Sequence, residues 1–246
     1  MTGSANYSLG PGRQPADWGY ASPRETRMGH WISLETPTGA ISAWRADPSI
    51  PSRGALVVVQ EIFGVNAHIR SVVDRFAAHG FTAVAPAMFD HLEHHVELSY
   101  DADGVGYGRD MVEKLGFDRA VDDVHAAAKL LEPAGNVGVV GYCWGGSVAY
   151  LSWARLGLPA VSYYGGRTVP FLQERSNAAL MLHFGELDPL IPPEAIALHH
   201  EALPDAKFHI WPAGHGFNCD QRADYNATVA VQALQRTLSF FETNLK

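Results

Sequence analysis

Cysteine is scarce in this 246-residue sequence, which contains only Cys143 and Cys219. Two cysteines are too few for the disulfide framework of a secreted domain. The sequence also has no basic N-terminal patch followed by an apolar block, so no secretory signal peptide is visible. We therefore expect a cytoplasmic protein in a reducing compartment, with both thiols free.

Basic residues are outnumbered as well: 18 Lys and Arg stand against 26 Asp and Glu, which gives a formal net charge of −8. Non-specific affinity for nucleic acids depends on clustered Lys and Arg. This balance argues against nucleic acid as a partner.

Long apolar runs are missing too. The longest uncharged stretch, residues 133–154, contains Asn136, five glycines and two serines. Its first part is β-branched and only its second part has a helical pattern, so it predicts a buried strand followed by a buried helix rather than a membrane span. We expect no membrane partner.

The composition, 47% hydrophobic and 18% charged, is that of a globular protein with a large core. Residues 1–28 differ from the rest, because they hold four Gly, three Pro and three Ser and little apolar periodicity. They predict a loosely ordered N-terminal extension. Residues 29–246 contain no fixed-period repeat and no central linker, and they predict a single domain.

Within that domain, short apolar runs alternate with amphipathic stretches. The runs predict a hairpin at 31–34 and 41–44, then strands at 55–59, 81–85, 137–140, 160–164, 180–184 and 207–211. Helices are predicted around 69–76, 121–131, 144–155, 193–203 and 230–241. This alternation predicts an α/β fold with a mostly parallel central sheet covered by helices on both faces. Residues 86–109 show no clear element, and a long loop of this kind is often functional.

One motif carries the chemistry. The strand ending at Val140 leads into Gly141-Tyr142-Cys143-Trp144-Gly145-Gly146 and then into a helix. A nucleophile elbow needs this setting, because the nucleophile sits on a strained turn and its neighbours must be small for strand and helix to close. A thiolate at a helix start is also favoured by the helix dipole. The alternative is a buried cysteine in a glycine-rich packing turn.

Two further loops supply the partners that a nucleophile needs. Asp188 follows the strand at 180–184, and His215 lies between Gly214 and Gly216 after the last strand. The order nucleophile, acid, histidine is that of α/β-hydrolases. Both loops follow carboxyl ends of strands, where sites form in open α/β sheets. Glu186 is the competing acid in the first loop.

The sequence resembles the dienelactone hydrolase family over about residues 30–244. The resemblance is carried, in order, by Gln60-Glu61-Ile62-Phe63-Gly64-Val65-Asn66, Gly141 to Gly146, Gly185-Glu186-Leu187-Asp188 and Ala213-Gly214-His215-Gly216-Phe217. It implies an α/β-hydrolase fold with a Cys143–His215–Asp188 triad and no cofactor. It also implies that Glu61 holds and helps to deprotonate the resting cysteine. The oxyanion hole would then be formed by the backbone N–H groups of Ile62 and Trp144.

The sequence departs from the family at two positions. Members that hydrolyse the anionic dienelactone grip its carboxylate with two arginines, and His91 and Cys219 stand where these arginines are expected. Arg222 lies close enough in sequence to substitute, and Phe63 belongs to the same candidate set of substrate contacts. We therefore expect neutral or weakly anionic esters and lactones to be preferred, with the loop from His91 to Tyr100 lining the entrance.

Two groups of histidines invite a metal interpretation. His91, His94 and His95 are close in sequence, but adjacent histidines cannot share one helical face, so no metal site is expected there. His199 and His200 are expected at the surface of a helix.

Together these observations predict a hydrolase that cleaves a small-molecule ester or lactone as a monomer or homodimer. Two alternatives remain open. One is a binding or sensing protein that keeps the fold without turnover, against which the complete triad argues. The other is a thioesterase or acyl-transfer enzyme using the same residues.

Overall fold

A computed structural model of the protein describes residues 28–246. The predicted N-terminal extension, except for Met28, lies outside the described residues. The strands are β1 (His30–Thr36), β2 (Gly39–Ala46), β3 (Ala55–Val59), β4 (Thr82–Pro86), β5 (Val137–Tyr142), β6 (Ala160–Tyr163), β7 (Leu180–Gly185) and β8 (Lys207–Trp211). The helices are α1 (Ala67–Ala78), α2 (Ala102–Leu115), α3 (Phe117–Leu131), α4 (Trp144–Leu156), α5 (Pro193–Ala202) and α6 (Ala227–Asn244). Short 3₁₀ helices lie at Met88–His91, Glu132–Ala134 and Val169–Phe171.

The eight strands form one sheet in the order β1-β2-β4-β3-β5-β6-β7-β8. The hairpin strands β1 and β2 are antiparallel, and β2 pairs antiparallel with β4. The six strands from β4 to β8 in this order are parallel. The predicted α/β class with a mostly parallel sheet is confirmed.

The central strands are apolar throughout because they are covered on both faces. All five residues of β3 and all six of β5 are buried. From β3 to β4 the chain proceeds toward one edge of the sheet, and from β5 to β8 it proceeds toward the other edge. Because crossovers between parallel strands are right-handed, the helices α1 and α4 lie on opposite faces of the sheet. The carboxyl ends of β3 and β5 therefore border a topological switch point, where α/β sheets form their crevices.

Helix α2 was not predicted, because residues 86–109 show no apolar periodicity. Its first turns contain Gly104, Gly106 and Gly108, and glycine weakens a helix by about 1 kcal/mol relative to alanine. The packing explains two of these glycines, since a Cβ at Gly108 would meet the carbonyl oxygen of Ile62 and one at Gly104 that of Ser99. Asp101 caps the helix by accepting from the N–H of Gly104 at 2.8 Å. Close backbone approach therefore outweighs helix propensity here.

The prediction for the histidine pair on α5 is wrong for one member. His199 is fully buried, where its Nε2 meets the hydroxyl of Thr168 at 2.5 Å and its Nδ1 meets the carbonyl of Ala195 at 2.6 Å. His200 is exposed, as expected. The sequence does not show that the Thr168 loop folds over one side of α5 and offers a hydrogen-bond partner to a buried imidazole.

Candidate active site

The turn between β5 and α4 consists of the single residue Cys143. Its φ of 55° and ψ of −118° are unusual for a residue with a side chain, and such strain typically costs about 1–3 kcal/mol. Gly141 and Gly145 make the turn possible, because a Cβ at Gly141 would collide with the Gly145 carbonyl and one at Gly145 with the Gln60 carbonyl. The strand–turn–helix geometry thus projects the thiol outward at the carboxyl end of β5.

The structure brings Cys143, His215 and Asp188 together. His215 Nε2 lies 3.1 Å from Cys143 Sγ, and His215 Nδ1 lies 2.7 Å from Asp188 Oδ2. The other carboxylate oxygen of Asp188 accepts from the N–H of Leu190 at 2.8 Å, which holds the carboxylate in place. Asp188 and His215 are both buried, whereas the competing acid Glu186 is exposed. The imidazole is thus oriented by a fixed carboxylate and directed at the thiol.

The charge state of this array follows from its surroundings. Burial works against the imidazolium form of His215 and is the largest single influence on it. The hydrogen bonds and charges of Asp188 and Cys143 outweigh burial and raise the pKa of His215 from 6.5 to about 10. These contacts therefore favour the protonated form of His215 at neutral pH.

Glu61 lies two residues after the end of β3 and is fully buried. Its Oε2 accepts from the Tyr100 hydroxyl at 3.1 Å, and its Oε1 faces Nη1 of Arg222 at 3.5 Å. Among residues 28–246, the side-chain hydrogen-bond partner of Cys143 is His215 and not Glu61. In this conformation the thiol is therefore turned toward the histidine.

A cavity of about 340 Å³ opens above the thiol. Cys143 and His215 line it together with Ile62, Phe63 and Trp144. The N–H of Trp144 occupies the first position of α4, where a helix has no internal acceptor. Larger cavities, of about 610 Å³, lie elsewhere and contain none of these residues. Cys143, His215 and the N-terminus of α4 all border the smaller cavity, so the chemistry of its lining and not its size identifies the candidate site.

Comparison with known proteins agrees with this geometry. The family model described as the dienelactone hydrolase family matches residues 41–245. The chain belongs to the dienelactone hydrolase family. A carboxymethylenebutenolidase-like protein of Synechocystis is 31% identical over 87% of this chain and 96% of its own length. Carboxymethylenebutenolidase 1 of Cupriavidus pinatubonensis is 27% identical over 81% of this chain and 90% of its own length.

A solved structure extends the agreement to the fold. The crystal structure of a dienelactone hydrolase-like protein of Klebsiella pneumoniae superposes with a TM-score of 0.76 at 27% identity. The match covers 87% of this chain and 97% of that one. The predicted family and the α/β-hydrolase fold are confirmed, and membership assigns the chain to the hydrolases of carboxylic ester and lactone bonds. No helix among residues 28–246 is long and apolar enough to cross a membrane.

Two of the residues expected to contact substrate lie elsewhere. His91 ends a 3₁₀ helix with its side chain buried, and its Nε2 lies 2.9 Å from Oδ1 of Asp123 on α3. Burial raises the pKa of Asp123 to about 6, against the opposing effect of His91. Cys219 is also fully buried and outside the lining of the cavity. The expectation that these two side chains contact substrate is thus corrected: one ties the 3₁₀ helix to α3, and the other lies in the interior.

The sequence did not predict three residues of the cavity, which are Arg109, Arg167 and Tyr164. Arg109 on α2 and Arg167 in the loop after β6 line the cavity together with Arg222, which was expected there. Tyr164, with a φ of 40°, packs the edge of its ring against His215 at a centroid distance of 5.2 Å. No local motif marks these residues, because elements far apart in sequence bring them together. This dienelactone hydrolase homologue therefore carries its cavity arginines at positions other than the two expected from the family pattern.

Proposed function

We propose that the protein hydrolyses an ester or lactone with Cys143 as nucleophile, His215 as general acid and base, and Asp188 as the residue that orients the imidazole. The unbroken hydrogen-bonded array from Asp188 through His215 to Cys143, at the floor of the cavity, is the observation that supports this proposal.

In the first half-reaction the Cys143 thiolate attacks the carbonyl carbon, and the negative charge moves to the carbonyl oxygen. The N–H groups of Ile62 and Trp144 stabilise this oxyanion. The tetrahedral intermediate collapses, the bond to the leaving oxygen breaks, and His215 gives its Nε2 proton to that oxygen. A thioester on Cys143 and a neutral imidazole result.

In the second half-reaction the neutral His215 removes a proton from water, which attacks the thioester carbonyl. The same donors hold the second oxyanion, and its collapse releases the carboxylic acid and restores the thiolate. A lactone yields one hydroxy acid, because its leaving oxygen stays attached to the acyl group.

Glu61 is proposed to exchange a proton with Cys143 in the resting enzyme, with the Tyr100 hydroxyl and the Arg222 guanidinium holding the carboxylate. The Arg222 guanidinium lies within the influence of the charges of both Glu61 and Cys143, and these oppose the pKa-lowering effect of its burial. Arg222 therefore couples the two groups electrostatically.

The proposed substrate carries a negative charge. Arg109 and Arg167 line the cavity, are exposed, and form no salt bridge within the described part of the chain. Charge-assisted hydrogen bonds between a guanidinium and a carboxylate contribute about 1.5–3 kcal/mol each when shielded and less when exposed. The sequence predicts a preference for neutral substrates because positions 91 and 219 are not arginine. Arginines at other positions line the cavity, so this reason for excluding an anionic substrate does not apply.

The nucleophile is tested by mass spectrometry of the protein mixed with p-nitrophenyl acetate. We expect a burst of p-nitrophenolate and an acetyl group on the peptide that contains Cys143. The Cys143→Ala and His215→Ala variants should lose turnover by several orders of magnitude, whereas His94→Ala, an exposed histidine outside the cavity, should keep it. Retention of more than about a tenth of the activity by Cys143→Ala would exclude this cysteine as the nucleophile.

The charge of the substrate is tested with a carboxylated lactone and its methyl ester at pH 8. We expect kcat/KM to favour the carboxylate, and Arg109→Gln and Arg167→Gln to reduce that preference about threefold to tenfold each. Arg53→Gln is the control, because Arg53 pairs with Glu242 and lies outside the cavity. Equal kcat/KM values for acid and ester would show that the arginines do not bind substrate.

We propose a cytoplasmic location because both cysteines are free thiols, as is usual in a reducing compartment.

A further inference from the structure

A second group of reactive side chains lies behind the cavity. Glu61 after β3, His68 in the first turn of α1 and Cys219 in the loop after β8 converge from three separate segments. One ligand atom of each, an oxygen, a nitrogen and a sulfur, lies within 4.8 Å of the others. All three residues are at most 1% exposed. The triad chemistry proposed above gives no role to His68 or Cys219.

Glu61 and His68 each have one polar atom that contacts a neighbour and one without a hydrogen-bond partner. Tyr100 donates to Glu61 Oε2, and Asp220 Oδ1 lies 3.3 Å from His68 Nδ1. Glu61 Oε1 and His68 Nε2, both fully shielded, have no hydrogen-bond partner within residues 28–246. An unsatisfied buried polar group typically costs about 1–3 kcal/mol. The open lone pairs therefore mark a place built for a further ligand.

The donor set identifies the ligand by its chemistry. Imidazole nitrogen, thiolate sulfur and carboxylate oxygen are the protein ligands of Zn²⁺ and of Co²⁺, its spectroscopic substitute. A carboxylate on the far nitrogen of a histidine, as Asp220 provides for His68, is the usual support of a metal-binding imidazole. With metal–ligand distances of about 2.0–2.3 Å, tetrahedral ligands lie about 3.5 Å apart, so the cluster would contract by up to about 1.3 Å.

The charges around the cluster are compatible with a dication. Glu61 and Asp220 are acidic, and Arg222, 3.5 Å from Glu61 Oε1, is the basic residue that faces them. Binding of Zn²⁺ with release of the Cys219 thiol proton adds one net positive charge, which makes the group of Glu61, Asp220, Arg222, the thiolate and the metal neutral. Arg222 competes with the metal for Glu61 Oε1, so its loss should strengthen metal binding.

We propose that Glu61, His68 and Cys219 form a binding site for a zinc-class divalent ion, and that occupation of this site inhibits hydrolysis. Bonds form from the metal to Glu61 Oε1, His68 Nε2 and Cys219 Sγ, the thiol proton passes to solvent, and no group is oxidised or reduced. The inhibition rests on the proposed function, because the ion takes the Glu61 carboxylate away from its exchange with Cys143.

The binding is tested with Co²⁺ and Zn²⁺ on the Cys143→Ala protein, in which the nucleophile cannot be a ligand. We expect one ion per chain and a thiolate-to-cobalt charge-transfer band in the near ultraviolet. Cys219→Ala should abolish the band, His68→Gln should weaken binding, and Asp220→Asn should weaken it by about 10-fold. Arg222→Gln should tighten it, and His94→Gln should leave it unchanged. Circular dichroism and Tm establish that each variant folds.

The activity arm compares inhibition by Zn²⁺ in proteins that retain Cys143. The native protein should be inhibited, and Cys219→Ala or His68→Gln should raise the inhibitory concentration at least 10-fold. Equal inhibition of all three proteins would overturn the regulatory claim and place the ion on Cys143 and His215. No charge-transfer band in Cys143→Ala would overturn the site itself. Because the band needs no turnover, this failure is distinguishable from failure of the proposed hydrolytic function.

Discussion

Replacement of Asp188 by asparagine tests the assignment of the acid at a single atom. The carboxylate accepts twice, from the N–H of Leu190 at 2.8 Å and from Nδ1 of His215 at 2.7 Å. An asparagine keeps one acceptor oxygen, and the Leu190 N–H donates to it. The amide NH₂ of Asn then faces Nδ1, which must become an acceptor, so the proton of the neutral imidazole moves to Nε2.

The magnitude follows from these contacts. With the proton on Nε2, His215 cannot accept from Cys143 or from the attacking water, and its imidazolium loses a charge-assisted hydrogen bond of about 1.5–3 kcal/mol. In serine triads the same substitution lowers kcat by about 10⁴-fold. A thiol ionises more easily than a hydroxyl, so we expect a smaller loss of about 10³-fold here, which corresponds to about 4 kcal/mol of transition-state stabilisation.

The assay is the kcat/KM for an aryl acetate across pH 6–9, with Glu186→Gln as the matched control. Glu186 lies in the same loop, two residues before Asp188, but is exposed. We expect Glu186→Gln to retain native kinetics. Native activity of Asp188→Asn, together with a large loss in Glu186→Gln, would refute the assignment and transfer the role of the acid to Glu186.

Three other predictions follow from the same geometry. Glu61→Gln should lower turnover and shift the pH profile of iodoacetamide alkylation at Cys143; unchanged turnover and an identical profile would reduce Glu61 to a structural residue. Gly145→Ala should destabilise the protein by about 1–3 kcal/mol in urea unfolding, since the new Cβ meets the Gln60 carbonyl; an unchanged midpoint would contradict this close packing. The fold raises the pKa of His215 from 6.5 to about 10, so protonation of this histidine stabilises the folded state. This contribution to the free energy of unfolding is complete below pH 6.5 and is lost as the pH rises toward 10. Stability should therefore fall over pH 7–10 more steeply in the native protein than in His215→Gln, and parallel profiles would contradict the pairing.

The sequence by itself determined the fold class and the three residues of the proposed triad. The strands of the core are short and apolar because they are buried on both faces, so each strand can be predicted from its own residues. The elbow can be recognised from a short motif, because Cys143 has a positive φ and a Cβ at Gly141 would collide with the Gly145 carbonyl four residues later. Loops that follow parallel strands meet at one edge of the sheet, which brought Asp188 and His215 to the thiol.

Only the tertiary structure decided the surroundings of that triad. Helix α2 begins with glycine-rich turns whose backbone packs against Ile62, and Arg109 reaches the cavity from that helix. His91 turned inward because Asp123, on another helix, offered it a carboxylate. The convergence of Glu61, His68 and Cys219 joins segments that are up to 158 residues apart. Such contacts depend on how elements pack rather than on the pattern within any one of them, so no local period or spacing records them.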